Sequence, residues 1–191
     1  NAGWPVKMWF SDAGMSGGGT FLDNGCHLMD IVRWFIGEPR ACVGSVSTLH
    51  WKIDPVEDNG MGIFTFDGGR QAFVHASWTE WAEYMYLEVY GSTGYLRVDS
   101  RGKTCTTTFG KQDGTQEVFD YSEVPAQSHD LEFKDFVRSV RTAAQPRPDG
   151  FDGLRAVQMA YGVYESSRSG KRVEVWGRKE EELLERLRKG R

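Results

Sequence analysis

The run Gly60-Met61-Gly62-Ile63-Phe64-Thr65-Phe66, the turn Asp67-Gly68-Gly69 and the run Gln71-Ala72-Phe73-Val74-His75-Ala76-Ser77-Trp78-Thr79 decide the fold class. Aromatic and β-branched residues on both sides of an Asp-Gly-Gly punctuation specify two strands joined by a tight turn. Glycine reaches the positive φ that such a turn needs. The same texture extends outward over residues 40–121, with further strands expected at 43–51, 84–90, 95–99, 104–109 and 117–121. Gly91-Ser92-Thr93-Gly94 and Asp113-Gly114 supply the intervening turns. Consecutive strands with connections this short must pair antiparallel, because a parallel crossover needs a dozen residues or more.

Helical texture flanks the strands. After Gly17-Gly18-Gly19, apolar residues at Leu22, Cys26, Met29, Trp34 and Phe35 recur near a helical period until Gly37. On the far side, Ser128 offers an N-cap for a stripe of Leu131, Phe133, Phe136, Val137 and Val140 that ends before Pro146 and Pro148. Asp149 or Asp152 caps a second helix with Leu154, Val157, Ala160, Tyr161 and Tyr164 expected inward, Gly170 closes it, and residues 172–176 make a last strand. The fold class is α+β: an open-faced, mostly antiparallel β-sheet with helices packed on one face. Residues 1–177 read as one domain, and residues 178–191 as a charged helical tail with a thin stripe of Leu183, Leu184 and Leu187.

Composition narrows the chemistry. A chain of 191 residues, 39% hydrophobic, buries a sizeable core. A net charge of −4 supplies no basic surface for nucleic acid. No apolar run approaches a membrane span, and Cys26, Cys42 and Cys105 form neither a disulfide framework nor a zinc knuckle, so a cytoplasmic, reducing environment is expected. The abrupt opening on Trp4, Val6, Met8, Trp9 and Phe10 suggests a piece of a larger protein.

The densest signal is Gly17-Gly18-Gly19-Thr20-Phe21-Leu22-Asp23-Asn24-Gly25-Cys26-His27-Leu28-Met29-Asp30. Three glycines are expected to leave a helix N-terminus open to an oxygen-rich ligand. Asp23 and His27, four apart, share one helical face, where a carboxylate fixes an imidazole tautomer and raises its basicity for proton transfer at a hydroxyl. Spacing alone also describes a surface pair. Asp30 reads either as a substrate contact or as the partner of Arg33, and Asn24 as facing either a pocket or the sheet. Trp9 and Trp78 offer either an aromatic wall for a sugar ring or core and oligomer contacts. His50, His75 and His129 are isolated, and no metal site is expected among them.

The string G-G-G-x-x-x-D-x-G-x-H-x-x-D resembles the signature of the glucose-fructose oxidoreductase, inositol dehydrogenase and MocA-type (Gfo/Idh/MocA) family. Residues 86–94, 131–136, 149–156 and 164–167 resemble later stretches of the same family in the same order. The resemblance implies the C-terminal half of a two-domain enzyme whose N-terminal Rossmann domain holds NAD or NADP. It implies a sugar or polyol substrate, with Asp23 and His27 lining its pocket and His27 as acid/base for the carbinol proton. It also implies homo-oligomers formed through the sheet. Neither a G-x-G-x-x-G fingerprint nor a Glu-Lys-Pro motif occurs in this chain, so alone it is expected to be inactive. Two other readings stand beside it: a metal-dependent isomerase or hydrolase using Asp23 and His27, and a non-catalytic sugar-binding or oligomerisation module.

Overall fold

A computed structural model describes residues 9–124 and 128–189, so the opening residues Trp4, Val6 and Met8 lie outside it. The chain parts into two compact units, one of residues up to Thr79 together with those from Arg147 onward, the other running from Glu80 to Pro146.

The first unit begins with a 3-10 turn, Trp9–Ser11, and three helices, α1 (Ala13–Ser16), α2 (Thr20–Asp23) and α3 (Gly25–Ile36). Strands β1 (Ala41–Ser47), β2 (Asn59–Thr65) and β3 (Gln71–Ser77) follow. The fold-deciding stretch is thus an antiparallel pair in which Ile63 stands opposite Phe73 and Gly62 opposite Val74. Gly68 and Gly69 between them take φ of 73° and 78°, as the turn requires.

Cys42, Phe64, Val74 and Ala76 alternate onto the buried face of this sheet, and Val43, Met61, Ile63 and Phe73 onto the exposed one. That alternation is the sheet expected from the sequence, covered on one side only. What covers it is the long helix of this unit, whose place in chain order comes after the second unit.

The second unit is an antiparallel meander of β4 (Tyr86–Tyr90), β5 (Gly94–Asp99), β6 (Thr106–Lys111) and β7 (Gln116–Asp120), followed by helix α4 (Ser128–Thr142). The strands are therefore shared between two four-stranded antiparallel sheets, each ordered by its own ladder. On α4 four residues of the expected apolar stripe, Leu131, Phe133, Phe136 and Val140, are exposed. Helical period fixes which residues share a face; it does not supply the surface that covers them.

The chain returns to the first unit with α5 (Gly150–Ser169), β8 (Val173–Glu174) and α6 (Arg178–Lys189). Both candidate caps of α5 act together: Asp149 accepts from the N–H groups of Phe151 and Asp152, and Asp152 accepts from the N–H of Asp149. Gly170 ends the helix at φ 67°. The inward face is Ala156, Met159, Ala160 and Val163, while Leu154, Val157 and Tyr161 lie outside. Glycines on the strands let this face come close: a Cβ on Gly44 or Gly62 would stand 2.7 Å from a Val163 methyl. Beyond Cys42, where β8 stops pairing with β1, the N–H groups of Gly44 and Val46 donate instead to Ser166 and Ser167 of α5 at 3.1 Å. Helix α6, the expected tail, is tied back by Glu181 to Arg40 at 2.6 Å. No helix among the described residues is long and apolar enough to cross a membrane.

Candidate active site

The glycine triplet sits between α1 and α2, and each glycine answers a different constraint. Gly17 takes φ 75° as the C-cap of α1. A Cβ on Gly18 would stand 2.3 Å from the Tyr164 hydroxyl, and one on Gly19 only 1.8 Å from the carbonyl oxygen of Glu57. Gly18 and Gly19 therefore stand where other parts of the chain come close.

The N–H groups at the start of α2 are already taken. Glu57, only 5% exposed, accepts from Gly19 N–H at 2.7 Å and Phe21 N–H at 3.0 Å, and its own carbonyl accepts from Thr20 N–H at 3.1 Å. Tyr164 donates its hydroxyl to the same carboxylate at 2.7 Å. Burial, and then the neighbouring Glu57 charge, push the Tyr164 pKa far above the ordinary phenol value, so it remains a donor at any physiological pH. The open, ligand-accepting helix terminus expected from the sequence is corrected: the chain supplies its own anion there.

Beyond that clamp the chemistry-bearing side chains reach the surface. Asp23 closes α2, His27 stands in the first turn of α3, and both are exposed on the run that Asn24 joins. Among the described residues no hydrogen bond or ion pair links Asp23 to His27, so the pair shares a face without a direct contact. Asn24 is exposed and turns its amide to Thr20 Oγ1 at 3.3 Å. Asp30 pairs with Arg33 at 3.2 Å, the ionic alternative left open by the sequence. Cys26 is half-buried and donates its thiol to the Asp23 carbonyl at 3.1 Å. Burial first, and then the Asp23 charge, raise its pKa, which keeps it a thiol and no nucleophile.

The aromatic candidates separate. Trp9 is exposed and meets Phe10 edge-on at 5.6 Å. Trp78 is a correction: at 8% exposure it packs with Ile53 and Val56 and lies 5.8 Å from Phe10, so it builds a small second core and no sugar-facing wall. Among the described residues no group of three His, Cys, Asp or Glu side chains could hold a metal.

Two residues that sequence reasoning passed over organise the site. Glu57 reaches the glycine motif from 38 positions away. Its neighbour Asp58, fully buried, accepts the N–H groups of Leu49, His50 and Trp51 at 2.8 Å each and so shapes the loop before β2. An acidic pair ahead of a strand was the only visible signal, and local spacing could not reveal partners so remote.

An antiparallel α+β scaffold whose first helices carry an exposed acid and imidazole beside a packed glycine triplet defines a class of domain. The family model described as GFO/IDH/MocA C-terminal domain matches residues 1–97 of the 191, and the chain belongs to that family. It is 27% identical over 164 residues to D-xylose 1-dehydrogenase (NADP(+)) 2 of Haloferax volcanii, covering 83% of this chain and 48% of that protein. It is 30% identical over 173 residues to myo-inositol 2-dehydrogenase of Thermotoga maritima, covering 84% and 51%. The chain thus spans about half the length of these curated relatives. Its fold matches that of a levoglucosan dehydrogenase in complex with NADH and levoglucosan, with a TM-score of 0.77 at 20% identity over 91% of this chain and 56% of that one. It also matches an aldose-aldose oxidoreductase from Caulobacter crescentus complexed with glycerol, with a TM-score of 0.74 at 21% identity over 88% and 51%.

Proposed function

We propose that residues 1–177 are the substrate-binding and catalytic half of an NAD(P)-dependent oxidoreductase acting on a sugar, polyol or related hydroxyl compound. The observation that carries this reading is the exposure of His27 and Asp23 together on the α2–α3 run, in the part of the chain that the family model covers. The relatives' names, sugar and inositol dehydrogenases, supply the substrate class.

The glycine triplet does not offer a phosphate site to a dinucleotide. The glycine triplet is filled by Glu57 and Tyr164, leaving no cradle there for a pyrophosphate. A nicotinamide held by an N-terminal Rossmann domain would supply the hydride acceptor or donor, and no residue of this chain is assigned to holding it. His27 takes or returns the carbinol proton, and Asp23, exposed on the same helical run, is the second polar group offered to the substrate. Trp9 and Asp30, at the surface near this run in sequence, are the further candidates for substrate contact. The exposed sheet face of Val43, Met61, Ile63 and Phe73 is assigned to homo-oligomer formation.

The test is steady-state kinetics on the complete protein with NAD+ and NADP+ against a panel of D-xylose, myo-inositol and levoglucosan. His27→Ala is expected to lower turnover roughly 10²-fold or more while cofactor binding stays intact. Wild-type turnover in that variant removes His27 from the mechanism.

A further inference from the structure

We propose that Glu57 and Tyr164 are positioning residues for the His27 face, a carboxylate and a phenol that clamp the start of α2 and thereby set where Asp23 and His27 stand. The inference rests on the reading of His27 as acid/base.

Helix α2 cannot cap itself, because its N-cap is Gly19, which has no side chain. The cap comes instead from the far side of the fold. Three consecutive N–H groups, those of Gly19, Thr20 and Phe21, are all bound by Glu57 through its carboxylate and its carbonyl. Glu57 lies two residues before β2, and Tyr164, which donates to it, lies on α5. The start of α2 is therefore bolted to the sheet and to the long helix at one point.

That point has no slack. The Gly18 and Gly19 backbones already touch Tyr164 and Glu57 at distances a methyl group would violate, and buried Phe21 presses on Gly60 so closely that a Cβ there would sit 2.7 Å away. One residue, Asn24, separates α2 from α3, and its amide holds Thr20 at the clamped end. Displacement of the clamp is transmitted to Asp23 through one helical turn and to His27 through about two. The charge matters as well as the shape, since three donors converge on the Glu57 carboxylate. The isosteric amide has one acceptor oxygen and would turn N–H groups toward a donor.

The test uses the complete protein and the panel sugar that the wild type oxidises best. Tyr164→Phe, which keeps the ring and removes one donor, is expected to lower kcat about tenfold with the nucleotide KM unchanged, because small misplacements of a catalytic group are costly in rate. Glu57→Gln is expected to lower it further. Because the effect passes through His27, Tyr164→Phe should add nothing to the loss in His27→Ala, whereas a merely structural role would lower the melting temperature and act equally in both backgrounds. Impaired His27→Ala alongside Tyr164→Phe with wild-type kcat, or independent losses in the double variant, overturns the positioning role and leaves the acid/base reading standing. Undiminished turnover in His27→Ala, or no oxidation of any panel sugar by the wild type, overturns both.

Discussion

Arg155 on α5 donates from Nε to Glu38 Oε2 at 3.0 Å, joining residues 117 positions apart. Arg33 of α3 holds the same carboxylate at 2.7 Å and reaches Asp152 at 3.2 Å, while the Arg155 guanidinium lies 4.1 Å from the centre of the Trp176 ring. Two helices and the end of β8 are thus gathered on one acidic side chain. With the Arg155 side chain 1% exposed, Arg155→Met strands the partner charges, and unfolding in urea should show a loss of about 3 kcal/mol. Stability within experimental error of wild type would mean that the cluster does not hold the fold.

The same cluster predicts an acid limb. Burial pushes the Glu38 carboxyl upward, but hydrogen bonds and charge from Arg33 and then Arg155 outweigh it, so the group sits below its ordinary 4.5. A pKa depressed by folding contributes stability above the unfolded-state value and loses it as pH falls through the folded-state value. Melting temperature should therefore decline as pH drops below about 4.5. In Glu38→Gln the melting temperature near neutrality should be lower and this part of the decline absent.

Two glycine substitutions should act in opposite directions. Gly19→Ala drives a methyl to 1.8 Å from the Glu57 carbonyl and should cost about 3 kcal/mol or more, since neither backbone can yield without breaking the clamp. Gly153→Ala, inside α5 with open space around it, should stabilise by about 0.5–1 kcal/mol. Paired denaturation curves read both, and a tolerated Gly19→Ala would contradict the packing described.

Asp58→Ala removes the acceptor for three part-buried backbone N–H groups at once. A loss of about 3 kcal/mol is expected, with hydrogen exchange at Leu49, His50 and Trp51 quickened well beyond that of β2. Unchanged protection at those three amides would show that Asp58 does not hold the loop.

Val43, Ile63 and Phe73 stand in register across three strands on the exposed face, with Phe73 63% exposed. If that face joins copies of the chain, Phe73→Glu should shift sedimentation from oligomer to monomer with the secondary structure intact. A wild type that sediments as a monomer removes the assignment.

The metal-dependent alternative has a direct discriminant. Elemental analysis of the purified protein should show no stoichiometric divalent metal, and EDTA should leave turnover unchanged. A metal bound at one per chain, with activity lost on chelation, would replace the proton-transfer role of His27 with ligation.

Much of the architecture was legible because it is written in local patterns. Two β-rich runs around Asp67-Gly68-Gly69 marked the hairpin, and the Asp-x-x-Asp start and Gly170 end of α5 marked its limits. Of the residues expected inward on α5, Ala160 is fully buried and Tyr164 packs against the core, whereas Leu154, Val157 and Tyr161 lie outside. A helix that approaches a sheet closely buries its small side, and closeness is a property of two elements, invisible in one.

The sequence by itself determined the antiparallel α+β class, the helical run that carries Asp23 and His27, and the membership of a family, because hydrophobic period, turn chemistry and motif spacing are all local. Only the tertiary structure decided what the glycines are for, that Trp78 is core, and that Glu57 and Tyr164 anchor the start of α2. Gly18 and Gly19 mark places where something comes near, and no stretch of sequence says what. That is settled when folding brings a carboxylate from 38 residues away within 2.7 Å of a backbone N–H group.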